Sequence, residues 1–130
     1  MSLIIIDLDN FKNVNDTWGH LTGDMLLAKL GNRITQNIRK SDIACRYGGD
    51  EFLVILPGAD IAAAKGVAEK LRESIQNDHF YTETGEEIPY TISIGLSRTR
   101  PEDTFEGLFL RADAALYQSK KMGKNKLSVL

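Results

Sequence analysis

Four acids in this sequence stand where acids are costly. Asp7 and Asp9 flank Leu8 at the end of the apolar run Leu3-Ile4-Ile5-Ile6. Asp50 and Glu51 follow the pair Gly48-Gly49 and lead into Phe52-Leu53-Val54-Ile55-Leu56. A carboxylate beside an apolar strand costs free energy to bury unless a cation or hydrogen-bond donors meet it. Paired carboxylates of this kind can hold Mg²⁺ against phosphate oxygens. The bland alternatives are a solvated acidic turn at Asp50-Glu51, and strand-end solvation with helix capping by Asp9 or Asn10.

The elements that must carry these acids follow from periodicity. Residues 3–8 read as a buried strand, and the two-residue spacing of Asp7 and Asp9 puts both on one face. Residues 10–17 read as a short helix whose free N–H groups make an anion seat beside Asp7. A two-glycine loop, 19–24, precedes a helix over 24–39, with Leu26, Leu27, Leu30, Ile34 and Ile38 at three- and four-residue steps. Strands 42–47 and 50–56 flank the Gly-Gly pair. Glycine tolerates positive φ, so a tight two-residue turn is expected, with Asp50 and Glu51 at the tip of a buried hairpin. Asp60 caps a helix over 61–77. Residues 79–81 and 87–90 can pair as a peripheral hairpin. A strand over 91–96 contains Gly95, which marks a close backbone approach. A helix over 104–122 and a strand over 126–130 complete the chain.

This order is a split βαβ, ferredoxin-like core of the α/β (α+β) class, with an extra helix and strand. In such a core the first strand neighbours the central hairpin. Asp7 is therefore expected to meet Asp50 and Glu51, giving three carboxylates for one or two Mg²⁺ ions.

The bulk properties narrow the classes. A chain of 130 residues fits one domain with one real core. The net charge of −2 gives no global basic field, so nucleic acid is not an expected partner. Cys45 is the only cysteine, which excludes an internal disulfide and suits a reducing compartment such as the cytoplasm. The run Leu3–Ile6 is far too short to span a bilayer.

Taken together, these motifs resemble the GGDEF family, the diguanylate cyclases. The resemblance rests on Asp7-Leu8-Asp9-Asn10-Phe11-Lys12, Asn15-Asp16, Gly19-His20, Gly23-Asp24, Arg46-Tyr47-Gly48-Gly49-Asp50-Glu51-Phe52, Ser93-Ile94-Gly95 and Arg111-Ala112-Asp113-Ala114-Ala115-Leu116-Tyr117. It implies a palm-like βαββαβ core, as in nucleotide cyclases. It also implies condensation of two GTP into cyclic di-GMP with release of two pyrophosphates. Each subunit of a homodimer would hold one GTP, and each 3′-hydroxyl would attack the opposite α-phosphate.

The resemblance also implies roles. Asp7 and Asp50, with the Leu8 carbonyl, would hold Mg²⁺ or Mn²⁺. Glu51 would bind metal or help deprotonate the 3′-hydroxyl. Asn15 and Asp24 would read guanine, an amide and a carboxylate suited to its edge; their plainer readings are a turn residue and a helix cap. The N–H groups of Asn10, Phe11 and Lys12 would cradle the terminal phosphates, with Lys120 and Lys124 contacting them. Taken alone, that lysine run reads as a solvated basic helix end. Lys124 stands where the family often has Arg, keeping the charge but losing bidentate contact. Arg39 and Asp42, an Arg-x-x-Asp set five residues before the Gly-Gly pair, resemble the inhibitory product site. The family's usual helix and Asp-x-Leu-Thr-Gly-Leu-x-Asn-Arg-like segment do not precede the first strand. The chain is therefore expected to be a single catalytic domain, 1–130, cut from a larger signalling protein with an upstream sensor. That parent protein could be anchored to the inner membrane. The alternative within the same family is a catalytically silent domain that binds cyclic di-GMP or GTP.

Overall fold

The computed structural model describes residues 1–130. Its elements are β1 (Ser2–Leu8), α1 (Phe11–Trp18), α2 (His20–Gln36), β2 (Ile43–Tyr47), β3 (Glu51–Leu56), α3 (Ile61–Gln76), β4 (Ile92–Arg98), α4 (Phe105–Lys121) and β5 (Leu127–Val129). The sheet order is β2-β3-β1-β4-β5. β1 runs antiparallel to both β3 and β4, β2 is antiparallel to β3, and β5 is parallel to β4. The expected α+β ferredoxin-like order is present, with β5 added at one edge.

β1 is the middle strand, and all seven of its residues are buried. Its alternation splits the interior into two layers. Ile4, Ile6 and Leu8 face the larger core, with Leu26, Leu30 and Ile34 of α2 and Ala64, Ala68, Leu71 and Ile75 of α3. Leu3 and Ile5 face the smaller one, with Leu108, Ala112 and Leu116 of α4. Asp7 continues the Leu3–Ile5 side and so meets α4. Gly95 of β4 lies under α4: a Cβ there would fall 2.1 Å from the Ala112 carbonyl oxygen and 2.4 Å from the Leu116 nitrogen. The expected close approach is therefore one of backbone on backbone. Asp60 and Thr104 cap α3 and α4 by accepting from the N–H groups of Ala63 and Gly107.

Four local expectations are corrected. α2 starts at His20 rather than Asp24, and ends at Gln36. Only Gly19, at φ 91°, breaks the chain between α1 and α2, so Asp24 lies within the helix and is no cap. Only one strand of the hairpin is buried: β3 is largely covered, but β2 is an edge strand, exposed along its whole length. Its turn has three residues, since Tyr47 pairs with Glu51, and of the two glycines only Gly48 has positive φ. The peripheral hairpin reduces to one bridge, between Tyr81 and Glu87. No helix is long and apolar enough to cross a membrane.

Candidate active site at the end of the central strand

The end of β1 gathers residues from the whole chain. Asp7 is the register partner of Glu51 on β3 and of Ser93 on β4. The Leu8 N–H donates to the Asp50 carbonyl at 3.3 Å, which ties the acidic turn to the strand end. Asp7 is 3% exposed. One of its oxygens, Oδ2, accepts from the ammonium of Lys120, at the end of α4. The other, Oδ1, is buried and has no hydrogen-bond partner.

Electrostatics at this end are strained in both directions. Burial pushes the Glu51 carboxyl above its ordinary value, and the negative charges of Asp113 and Asp50 push it the same way. Burial pulls the Lys120 ammonium down, and the neighbouring Lys124 charge adds to that. Asp113, on α4, is a member of this acidic group that sequence reasoning gave no role. Its only signal was its place in the Arg111–Tyr117 motif.

The start of α1 opens beside the acids. Its N-cap, Asn10, is left-handed at φ 58°, and no side chain caps the helix. The first-turn N–H groups are therefore free of a side-chain acceptor. Asn10 does not cap; its Oδ1 instead accepts from the Lys124 ammonium at 2.7 Å. Lys120 and Lys124 thus reach the region of Asp7 and of α1, rather than forming a detached basic helix end.

Asn15 and Asp24 sit on α1 and α2, which pack against each other. Asp24 is exposed. Asn15 Oδ1 is buried without a partner. A Cβ at Gly23 would fall 1.9 Å from that oxygen and 3.2 Å from the Phe11 ring. Gly23 is therefore the space that Asn15 occupies, a role its expected place in a two-glycine loop did not suggest.

Arg39 and Asp42 lie at the other end of the sheet, between α2 and β2. The Asp42 side chain is fully buried; it accepts from the Arg39 backbone N–H at 2.8 Å and pairs with the guanidinium at 3.2 Å. The guanidinium also donates to the Pro57 carbonyl at 3.4 Å. The two residues are together, but they face each other.

The oxygen donors at the β1 end suit a hard divalent cation. The orphaned oxygen of Asp7 marks where one would be held. The side chains have not closed around such a point, however: no three Asp, Glu, His or Cys side chains stand close enough to share an ion. The three-carboxylate cluster expected from sequence is thus present as neighbouring strand ends rather than as a formed cage. The Lys120 ammonium is the cation that meets Asp7 here.

An α+β domain with an acidic end to its central strand, facing an uncapped helix start and two lysines, is of the palm class. The chain belongs to the family described as diguanylate cyclase, GGDEF domain, whose model matches residues 1–126. It is 44% identical over 127 residues to the response regulator PleD of Caulobacter vibrioides and 39% identical over 129 residues to diguanylate cyclase DosC of Escherichia coli. These matches take in 96% and 99% of this chain but 28% of the length of each relative. In structure it resembles the GGDEF domain of DgcB from Caulobacter crescentus in complex with c-di-GMP, with a TM-score of 0.95 and 32% identity, covering 98% of this chain and 76% of that one. It also resembles the active GGEEF domain of a diguanylate cyclase from Vibrio cholerae, with a TM-score of 0.89 and 31% identity, covering 98% of this chain and 81% of that one.

Proposed function

We propose that this chain condenses two GTP molecules into cyclic di-GMP and two pyrophosphates, as a homodimer in which each copy holds one nucleotide. The observation that carries this reading is the convergence of Asp7, the Asp50-Glu51 turn, the open start of α1 and two lysines at one end of β1.

The N–H groups of Asn10, Phe11 and Lys12 bind the terminal phosphates, as an uncapped helix start can. Lys120 and Lys124 add charge from the far side. Asn15 and Asp24 accept and orient guanine, and the unpartnered Asn15 oxygen supports that role. Asp7, Asp50, Glu51 and the Leu8 carbonyl would hold Mg²⁺ or Mn²⁺, which when bound stabilises charge on the phosphates. The raised carboxyl of Glu51 suits a group that accepts the proton of the attacking 3′-hydroxyl. Positioning of two triphosphates supplies much of the remaining acceleration. Product binding at Arg39 and Asp42 provides feedback, once the pair opens toward the ligand.

Residues 1–130 are the single catalytic domain of a longer cytoplasmic signalling protein, with the upstream sensor and any anchor in the inner membrane supplied elsewhere in that protein. The 28% share of the relatives' length supports this organisation.

The test is incubation of the chain at high concentration with GTP and Mg²⁺, beside an Asp50→Ala control, with chromatographic separation of the nucleotides. Cyclic di-GMP from the wild type alone is the expected result. Turnover retained in Asp50→Ala would sink the metal assignment. Tight GTP or cyclic di-GMP binding without turnover, even after fusion to a dimerising domain, would make the chain a silent binding module.

A further inference from the structure

Asp9 has no part in the metal and nucleotide sets just described, yet it is only 5% exposed. Its carboxylate forms none of the molecule's salt bridges. It is met by neutral donors instead. Oδ1 accepts from the Ser93 hydroxyl at 2.6 Å, and Oδ2 accepts from the Thr91 hydroxyl at 2.7 Å and the Asn125 backbone N–H at 3.0 Å. Ser93 belongs to β4 and Thr91 is the residue before it, but Asn125 lies in the loop between α4 and β5.

That loop adopts a conformation that side chains disfavour. Lys124 and Asn125 are consecutive left-handed residues, at φ 64° and 48°, and neither is glycine. Such a turn persists only where its surroundings over-determine it. Here the Lys124 N–H donates to the Ser119 carbonyl, the Asn125 amide is tied to Arg72 and Gln76, and the Asn125 N–H is held by Asp9. The product of the turn is the placement of the Lys124 ammonium on Asn10, at the open start of α1.

We infer that Asp9 is a positioning residue for triphosphate binding: its carboxylate holds the loop after α4 in the turn that presents Lys124 to the first turn of α1. This rests on the reading of GTP as substrate. The work is done by accepted hydrogen bonds, not by charge. An asparagine can do the same, because its carbonyl oxygen can take the two donors on Oδ2 while its NH₂ faces Ser93, whose hydroxyl turns to accept. A carboxylate serving as a metal ligand tolerates no such exchange.

The experiment is calorimetric titration of the full chain, with Mg²⁺, by 3′-deoxy-GTP. This analogue keeps the base and triphosphate but lacks the hydroxyl needed for condensation. Asp9→Ala and Lys124→Ala are each expected to raise Kd about tenfold, and the double variant no further than either, since one acts through the other. Asp9→Asn is expected to bind within about threefold of wild type. Should Asp9→Ala not fold by circular dichroism, Asp9→Ser replaces it, being too short to reach the Asn125 N–H. Losses that multiply in the double variant, or an Asn variant as weak as the Ala variant, overturn the inference. Wild-type binding that Asp9→Ala leaves untouched overturns it while the GTP reading stands. Failure of the wild type to bind overturns both.

Discussion

The Lys120 ammonium sits on one oxygen of Asp7 while the other oxygen of that carboxylate, buried, has no hydrogen-bond partner. The lysine occupies the charge-balancing position that a divalent cation would take beside Asp7. Breaking a fully buried ion pair costs roughly 3–5 kcal/mol. The Lys120 side chain remains 38% exposed, so Lys120→Ala is expected to cost about 1–2 kcal/mol in chemical denaturation. Mg²⁺ should then raise the melting temperature of Lys120→Ala more than that of wild type, because the ion fills a charge deficit. Equal shifts in the two proteins would show that ammonium and ion do not share the place.

Gly23 gives a prediction on specificity. Its absent Cβ leaves the room taken by the Asn15 amide. Gly23→Ala meets the end of a side chain rather than backbone, so Asn15 can swing away and the fold survives. The expected result is a KM for GTP raised about tenfold, with a weakened preference over inosine triphosphate, in a protein that melts within a few degrees of wild type. Unchanged KM and preference would remove Asn15 from the guanine site.

The Arg39–Asp42 pair makes two separable predictions. Arg39→Ala removes a largely exposed guanidinium, and should relieve product inhibition at least tenfold while leaving the initial rate intact. Asp42→Ala also strips the acceptor from the Arg39 N–H, and should cost about 1 kcal/mol of stability in addition. Titration of the initial rate with added cyclic di-GMP, beside urea melts, reads both. Inhibition that persists unaltered in Arg39→Ala rules the pair out as the feedback site.

Acid stability should depend on Asp103. The Arg111 guanidinium, with a hydrogen bond from the Arg100 N–H, holds its carboxyl down at about 2, against an ordinary 3.8. The folded value is the lower one, so the contribution is present in full above about pH 4 and is lost as pH falls toward 2. Asp103→Asn should flatten the fall in unfolding free energy across that window, and lower it at neutral pH. An identical acid slope in the two proteins would discount the pair.

The fold was legible where the signal is local. The apolar steps of α2, the cap Asp60, and Gly95 beneath α4 all follow from periodicity and residue chemistry. The errors arose where a distant partner decides. Gly23 looks like loop punctuation until Asn15 is seen above it. Ile43-Ala44-Cys45 looks like core because composition does not reveal that β2 is an edge. The acidic pairs announced the site, but the lysine answering Asp7 lies 113 residues away, and no spacing rule joins them. Asp113 was hidden in the same way, as a surface-facing helix acid whose charge is felt at Glu51.

The position of β1 in the middle of the sheet also shapes how the chain is born. It leaves the ribosome before the other strands of the sheet, yet its partners are Glu51–Leu56 and Ile92–Arg98. At roughly 5–20 residues per second, its apolar face waits seconds for the second of them. An early, sticky strand with late neighbours is a natural client for a chaperone during synthesis. Asp7, made before everything that surrounds it, is among the last to find its surroundings, since Lys120 emerges later still.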